Sequence, residues 1–160
     1  MDIKDHWAGI QNLFKKAPRC AIATVNENGS PNITPIGSLC LRDNQTGYYF
    51  EEFSQKMPKN FEHNNRICVL AMNPGVIFWM KSFFKGKCSS TPGVRLYGTV
   101  GERRIGSEEE IASFLDRVKK LRKRKVHEIL FKNMKYLREI KFDSFEPINL
   151  GPMTQHLWKD

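Results

Sequence analysis

Apolar and polar positions along this chain change period several times, and each change marks an element. Ile3, Trp7, Ile10, Leu13 and Phe14 recur every three or four residues and predict an amphipathic helix over residues 3–16, ended before Pro18. Small and β-branched residues over positions 19–26 read as a strand. Asn26-Glu27-Asn28-Gly29 supplies residues tolerant of positive φ, so a hairpin turn is expected there. A second strand over residues 33–41 should pair back. Asp43-Asn44-Gln45-Thr46-Gly47 reads as the next turn and leads into an aromatic strand that opens Tyr48-Tyr49-Phe50. That strand stops at Ser54-Gln55-Lys56, a short polar helix follows, and a further strand is expected over residues 66–72.

Asn73-Pro74-Gly75 should turn the chain into Val76-Ile77-Phe78-Trp79-Met80, a nearly continuous apolar run expected to form a strand buried on both faces or at a subunit interface. Residues 85–93, rich in Gly, Ser, Lys and Pro, are expected to form a mobile loop, and 94–100 another strand. Ser107 and Glu110 have the spacing of a capping box; Ile111, Phe114, Leu115, Val118 and Leu121 continue it as an amphipathic helix. The helical pattern resumes through Ile129, Leu130 and Met134, giving a basic helical segment over 107–135. A last strand is expected at about 138–147, ended by Pro147. The chain thus reads as one domain over 1–160, mainly β with flanking helices: a small barrel of six or seven antiparallel strands at about 19–105, completed by the last one.

Composition narrows the function classes. Cys20, Cys40, Cys68 and Cys88 are widely spaced, with no Cys-x-x-Cys pair, so a zinc site is not expected and the thiols should be reduced and structural. The N-terminus lacks the pattern of a signal peptide and no apolar run is long enough to span a bilayer, so the expected location is the cytoplasm, with no membrane partner. The net charge of +9 suits an anionic partner, but much of it is local to residues 119–125. A solvated helix face explains that run better than nucleic-acid binding.

No nucleophile elbow, paired carboxylates or metal-binding helix is present, and His6, His63, His127 and His156 are scattered. Reactivity would have to be borrowed from a cofactor. The strand-to-helix corner at Ser54 and Lys56 is a natural phosphate seat, since a hydroxyl, an ammonium and helix N–H groups converge there. Two solvated lysines, Lys56 and Lys59, are the bland alternative. Pro31 and Pro35 make the second strand irregular, which leaves backbone groups near Thr34-Pro35-Ile36-Gly37 free for a flat ring, or simply marks an edge strand with a bulge.

The order of Cys20-Ala21-Ile22-Ala23-Thr24-Val25, Asn28-Gly29-Ser30-Pro31, Thr34-Pro35-Ile36, Ser54-x-Lys56 and Asn65-Arg66-Ile67-Cys68-Val69 resembles the FMN-binding split barrels of the pyridoxamine phosphate oxidase-like superfamily over residues 17–105. The resemblance implies an antiparallel split β-barrel and an FMN-dependent oxidoreductase. It implies that Ser54 and Lys56 hold the phosphate, with Gln55 where the family has Arg, and that Lys59 and Asn60 share or take over the lysine's role. It places Thr34, Pro35, Ile36 and Gly37 against the isoalloxazine ring and Tyr49, Phe50 and Glu51 on the strand alongside, where core packing is the alternative for Phe50. It further implies a homodimer with cofactor at the interface, completed by Trp79, Arg95 or Tyr97 of the second subunit, and a donor such as a reduced nicotinamide. Relatives that bind a deazaflavin or haem, or that bind without turnover, keep those alternatives open. The tail, residues 150–158, lacks the Arg-x-His segment of authentic pyridoxamine phosphate oxidases, so the substrate is open.

Overall fold

The computed structural model describes residues 1–17, 19–119, 125, 129, 131 and 133–157. The first helix, α1 (Ile3–Lys16), starts where the Asp2 carboxylate accepts the Lys4 N–H, and it buries Ile3, Trp7 and Ile10. Then come β1 (Cys20–Val25), β2 (Pro31–Ile36), β3 (Cys40–Leu41), β4 (Thr46–Phe50), α2 (Lys56–Phe61) and β5 (Arg66–Met72). The chain continues with α3 (Val76–Lys85), β6 (Gly93–Ile105), α4 (Glu108–Arg117), β7 (Tyr136–Pro147) and two 3-10 turns, Gly151–Met153 and Gln155–Leu157. The expected basic run at 119–125 lies mostly outside the described residues.

The seven strands among the described residues belong to one antiparallel sheet in the order β2-β1-β5-β6-β7-β4-β3. Its two edges, β2 and β3, are consecutive in sequence and separated only by Gly37, Ser38 and Leu39. Such a link spans no more than about 15 Å, whereas the edges of a flat sheet of this width would lie roughly 29 Å apart. The sheet is therefore curled until its edges nearly meet, leaving a barrel split along one seam. Inside it, Ile22, Val69, Leu96 and Ile140 are fully buried together with Trp7 and Ile10 of α1. A second apolar cluster joins Tyr48, Phe50 and Leu137 to Phe114 of α4.

Two expectations are corrected. The single strand over 33–41 is two strands on opposite edges, because the chain leaves β2 at Ile36 and crosses the seam. The strand over 76–80 is the helix α3: Gly75 stands at its N-cap, and Gly86 closes it in the left-handed conformation at φ 60°. A continuous apolar run does not distinguish strand from helix, and here two glycines set a ten-residue segment. The loop after α3 is clasped by the chain's end, where the Cys88 N–H donates to Met153 O (2.8 Å) and His156 Nε2 lies 2.8 Å from Cys88 O.

The hairpin turn at Asn26–Gly29 forms as expected, with Gly29 at φ 81° and its N–H on Asn26 O. Gly98 has a different duty. It lies at a register shift between β6 and β7, and a Cβ there would come 2.5 Å from Lys141 O and 3.1 Å from the Phe142 ring. Gly98→Ala should therefore cost about 1–3 kcal/mol of stability through overpacking. Urea unfolding should show a lower midpoint at unchanged slope; an unmoved midpoint would show that the barrel yields at this bulge.

Candidate functional site

The seam of the split barrel opens into a cleft of about 910 Å³. One wall is the end of β2 and the link to β3, from Thr34 to Leu39; the other combines Phe50, Phe53 and Ser54 with Phe114 and Val118. Phe14 and Ala17 from the end of α1 and Met134 close the base. These walls are aromatic and aliphatic, yet among the described residues three cations border them, Lys15, Arg19 and Arg117, and no Asp or Glu does. A cavity of this size suits one or two small organic molecules, and its charge suits an anion.

Arg117 comes from the last turn of α4. Its guanidinium donates to Leu39 O (2.9 Å) and Gly37 O (3.1 Å) and sits 3.0 Å from Cys40 Sγ. These contacts satisfy the carbonyls left unpaired where the chain crosses between sheet edges. Ser38, buried in the same link, accepts the Phe50 N–H at 3.0 Å and fixes the link to β4. Cys20 faces the cleft, but its pKa is pushed up to about 12 by burial, with Arg117 opposing, so it remains a thiol at neutral pH.

Helix α4 is itself held by one carboxylate. Glu110 pairs with Arg42 of the turn after β3 and accepts from both terminal nitrogens of Arg104 on β6, at 2.8 and 2.9 Å. It also closes the capping box by accepting the Ser107 N–H (2.8 Å). Glu139 joins the same arginines, with Arg104 at 2.6 Å and Arg42 at 3.2 Å.

The residues expected at the site divide into three groups. Thr34, Pro35, Ile36, Gly37, Phe50 and Ser54 all line the cleft. Tyr49 and Glu51 lie on the other face of their strand, as its period of two requires. Glu51 is only 2% exposed and accepts Arg138 Nε on both oxygens at 2.8 Å and the Tyr49 hydroxyl at 2.7 Å. Burial of Tyr49, reinforced by the negative charge of Glu51, pushes its hydroxyl far above the ordinary tyrosine range. The third group is α2. Asn60 is buried and donates to Thr24 Oγ1 (2.8 Å) and Asn26 Oδ1 (3.1 Å), knitting α2 to the first hairpin. Lys56 and Lys59 are exposed and outside the cleft lining. Ser54 lies two residues before Lys56, so the corner reaches the cleft rim through its hydroxyl residue.

Lys15, Arg19 and Arg117 were not legible as site residues. Each is an ordinary basic residue at the end of a helix or the start of a strand, and only the curling of the sheet brings them to one opening. Among the described residues, no cluster of His, Cys, Asp and Glu is arranged to hold a metal ion.

The fold and cleft define a class: an antiparallel split barrel with a cofactor-sized opening at its seam. Residues 7–138 match the family described as pyridoxamine 5'-phosphate oxidase, and the chain belongs to that family. No curated protein sequence matches it. Among solved structures, HupZ of Group A Streptococcus is similar at 19% identity and TM-score 0.60, covering 90% of this chain and 94% of that one. An FMN-binding protein from Syntrophomonas wolfei is 18% identical at TM-score 0.56, with 93% and 96% covered. An F420 reductase is 14% identical at TM-score 0.58, with 86% and 96% covered. At these identities the structures establish the shared fold.

The carboxylate clamp sets an acid dependence. Hydrogen bonds from Arg104, ahead of the opposing burial, hold Glu110 at a pKa of about 2 against an ordinary 4.5. Glu139 is lowered by the same arginine. A carboxyl depressed on folding stabilises above its unfolded pKa, and that contribution fades as pH falls toward the folded one. Glu110→Gln should therefore be less stable than wild type at neutral pH, with the gap narrowing between about pH 4.5 and pH 2. Urea midpoints across that range check this; a gap independent of pH would remove the clamp's electrostatic role.

Proposed function

We propose that the cleft binds flavin mononucleotide and that the protein is a flavin-dependent oxidoreductase acting on a small molecule. The observation that carries this reading is the combination, in one cofactor-sized opening, of apolar and aromatic walls with three cations and, among the described residues, no carboxylate. A phosphorylated aromatic cofactor has that chemistry: a planar ring system and an anionic tail. Family membership supports the reading, as does the likeness to a structure described as an FMN-binding protein.

In this arrangement the exposed backbone from Thr34 to Gly37 lies along the ring, and Gly37 leaves room for close approach. Phe50 packs from the opposite wall. Ser54 donates its hydroxyl to the phosphate, and Lys56, unpaired among the described residues and two positions further on, supplies charge; Lys59 takes that role where Lys56 does not reach. Arg117 contributes positive potential and keeps the backbone link in place. Bound flavin would supply one- and two-electron chemistry, and these residues bind, orient and shield it. The electron donor proposed is a reduced nicotinamide or a similar small reductant.

The assembly proposed is a homodimer with the cofactor at the interface. Ile33 on β2 and Phe53 at the cleft are apolar and largely exposed, and a second subunit would cover them. The likeness to an F420 reductase favours one second reading, in which the ligand is the deazaflavin F420.

Titrating the purified protein with FMN should give a shifted flavin spectrum and a raised melting temperature, because a ligand selective for the native state stabilises it by mass action. Lys56→Ala should weaken the Kd by about 10- to 100-fold, as expected for loss of a charge-assisted contact. Unchanged affinity in Lys56→Ala with a loss in Lys59→Ala moves the contact to Lys59. A protein that ignores FMN but is stabilised by F420 establishes the second reading, and one that ignores both rules out a flavin site.

A further inference from the structure

Helix α3 turns its apolar side outward. Val76, Ile77, Met80, Phe83 and Phe84 are all exposed, Phe84 at 88% and Ile77 at 69%. At about 100° per residue these five fall in one continuous stripe roughly 120° wide, and Lys81 and Lys85 follow along one flank. The opposite side faces the protein: Ser82 is buried with its hydroxyl on Phe78 O (2.8 Å), and Trp79 Nε1 donates to Asn73 O (2.8 Å). The helix therefore has an inner face of its own, and the outward stripe is additional. Single exposed apolar residues are ordinary, whereas five contiguous ones on one helix mark an interaction surface.

Charge identifies what covers it. From residue 63 to residue 101 the chain has no Asp or Glu; within that span Arg66 and Arg95 pair with Asp143 and Glu146 of β7, whereas Lys81, Lys85 and Lys87 have no carboxylate partner among the described residues. Two such stripes packed on each other would gather lysines from both copies with no carboxylate from this segment to neutralise them. An anionic lipid surface provides both an apolar layer for the stripe and phosphates for the lysines. We propose that α3 is a membrane-surface anchor that lies in the headgroup region of an anionic bilayer, with the Ile77, Met80 and Phe84 stripe inserted and Lys81, Lys85 and Lys87 on lipid phosphates. The helix lies on the bilayer: its ten residues extend only about 15 Å, and no helix among the described residues is long and apolar enough to cross a membrane. The anchor is independent of what the cleft holds.

Flotation of the full-length protein with vesicles tests this. Protein should rise with vesicles of phosphatidylcholine and phosphatidylglycerol, stay behind with phosphatidylcholine alone, and be released as salt is added. Lys81→Gln with Lys85→Gln should weaken binding about 25-fold, roughly fivefold per lysine. Ile77→Ser with Phe84→Ser should abolish flotation while leaving the melting temperature unchanged, since both side chains stand in solvent. Wild-type protein that fails to float at low salt overturns the proposal, as does flotation that survives the double serine change. Failure to float together with a dimer that the serine changes dissociate assigns the stripe to a second copy instead.

Discussion

The architecture depends on one short link. Gly37, Ser38 and Leu39 carry the chain from one edge of a seven-stranded sheet to the other, and so few residues permit this only if the sheet closes on itself. The link also becomes a wall of the opening it creates. Its own polar groups need partners there, and Arg117 and Ser38 supply them, the first from a helix and the second through Phe50 of β4. Closure, cleft and backbone satisfaction are therefore one arrangement.

Helix α4 connects that arrangement to the rest of the barrel. Phe114 inserts into the apolar cluster around Phe50 and Leu137, and Glu110 gathers arginines from two other parts of the sheet. Exposed ion pairs contribute little singly, but here one largely buried carboxylate serves two guanidinium groups and a helix cap. The charges also impose orientation: with Glu110 fixed, Arg117 emerges two turns later at the seam. On the far side of β4, Glu51 and Arg138 form a separate buried pair, so the strand carries packing on one face and ionic order on the other.

Local signals made much of this legible. The period of α1, the Asn26–Gly29 turn and the Ser107 capping box each rest on interactions between residues a few positions apart, and each takes its expected form. Residues 76–80 misled because an apolar run lacks a period, and the deciding cap at Gly86 lies beyond it. The cleft was legible where it is built from one segment, Thr34 to Gly37, and at Ser54. It was not legible where tertiary closure assembles it: no local pattern marks Lys15, Arg19 or Arg117. Tyr49 and Glu51 show a further limit, since naming Tyr49, Phe50 and Glu51 together overlooks that Phe50 points to the opposite face from the other two.

The clasp between the last 3-10 turns and Cys88 ties regions distant in sequence. Because the Cys88 amide and carbonyl both bond to the tail, the segment leaving α3 is held from outside the sheet. Proteolytic trimming of that tail would spare the hydrogen-bonded strands while loosening the seat of α3. Preparations differing only at their C-terminal end would then differ in how firmly they present that helix, and intact mass should be verified before any two are compared.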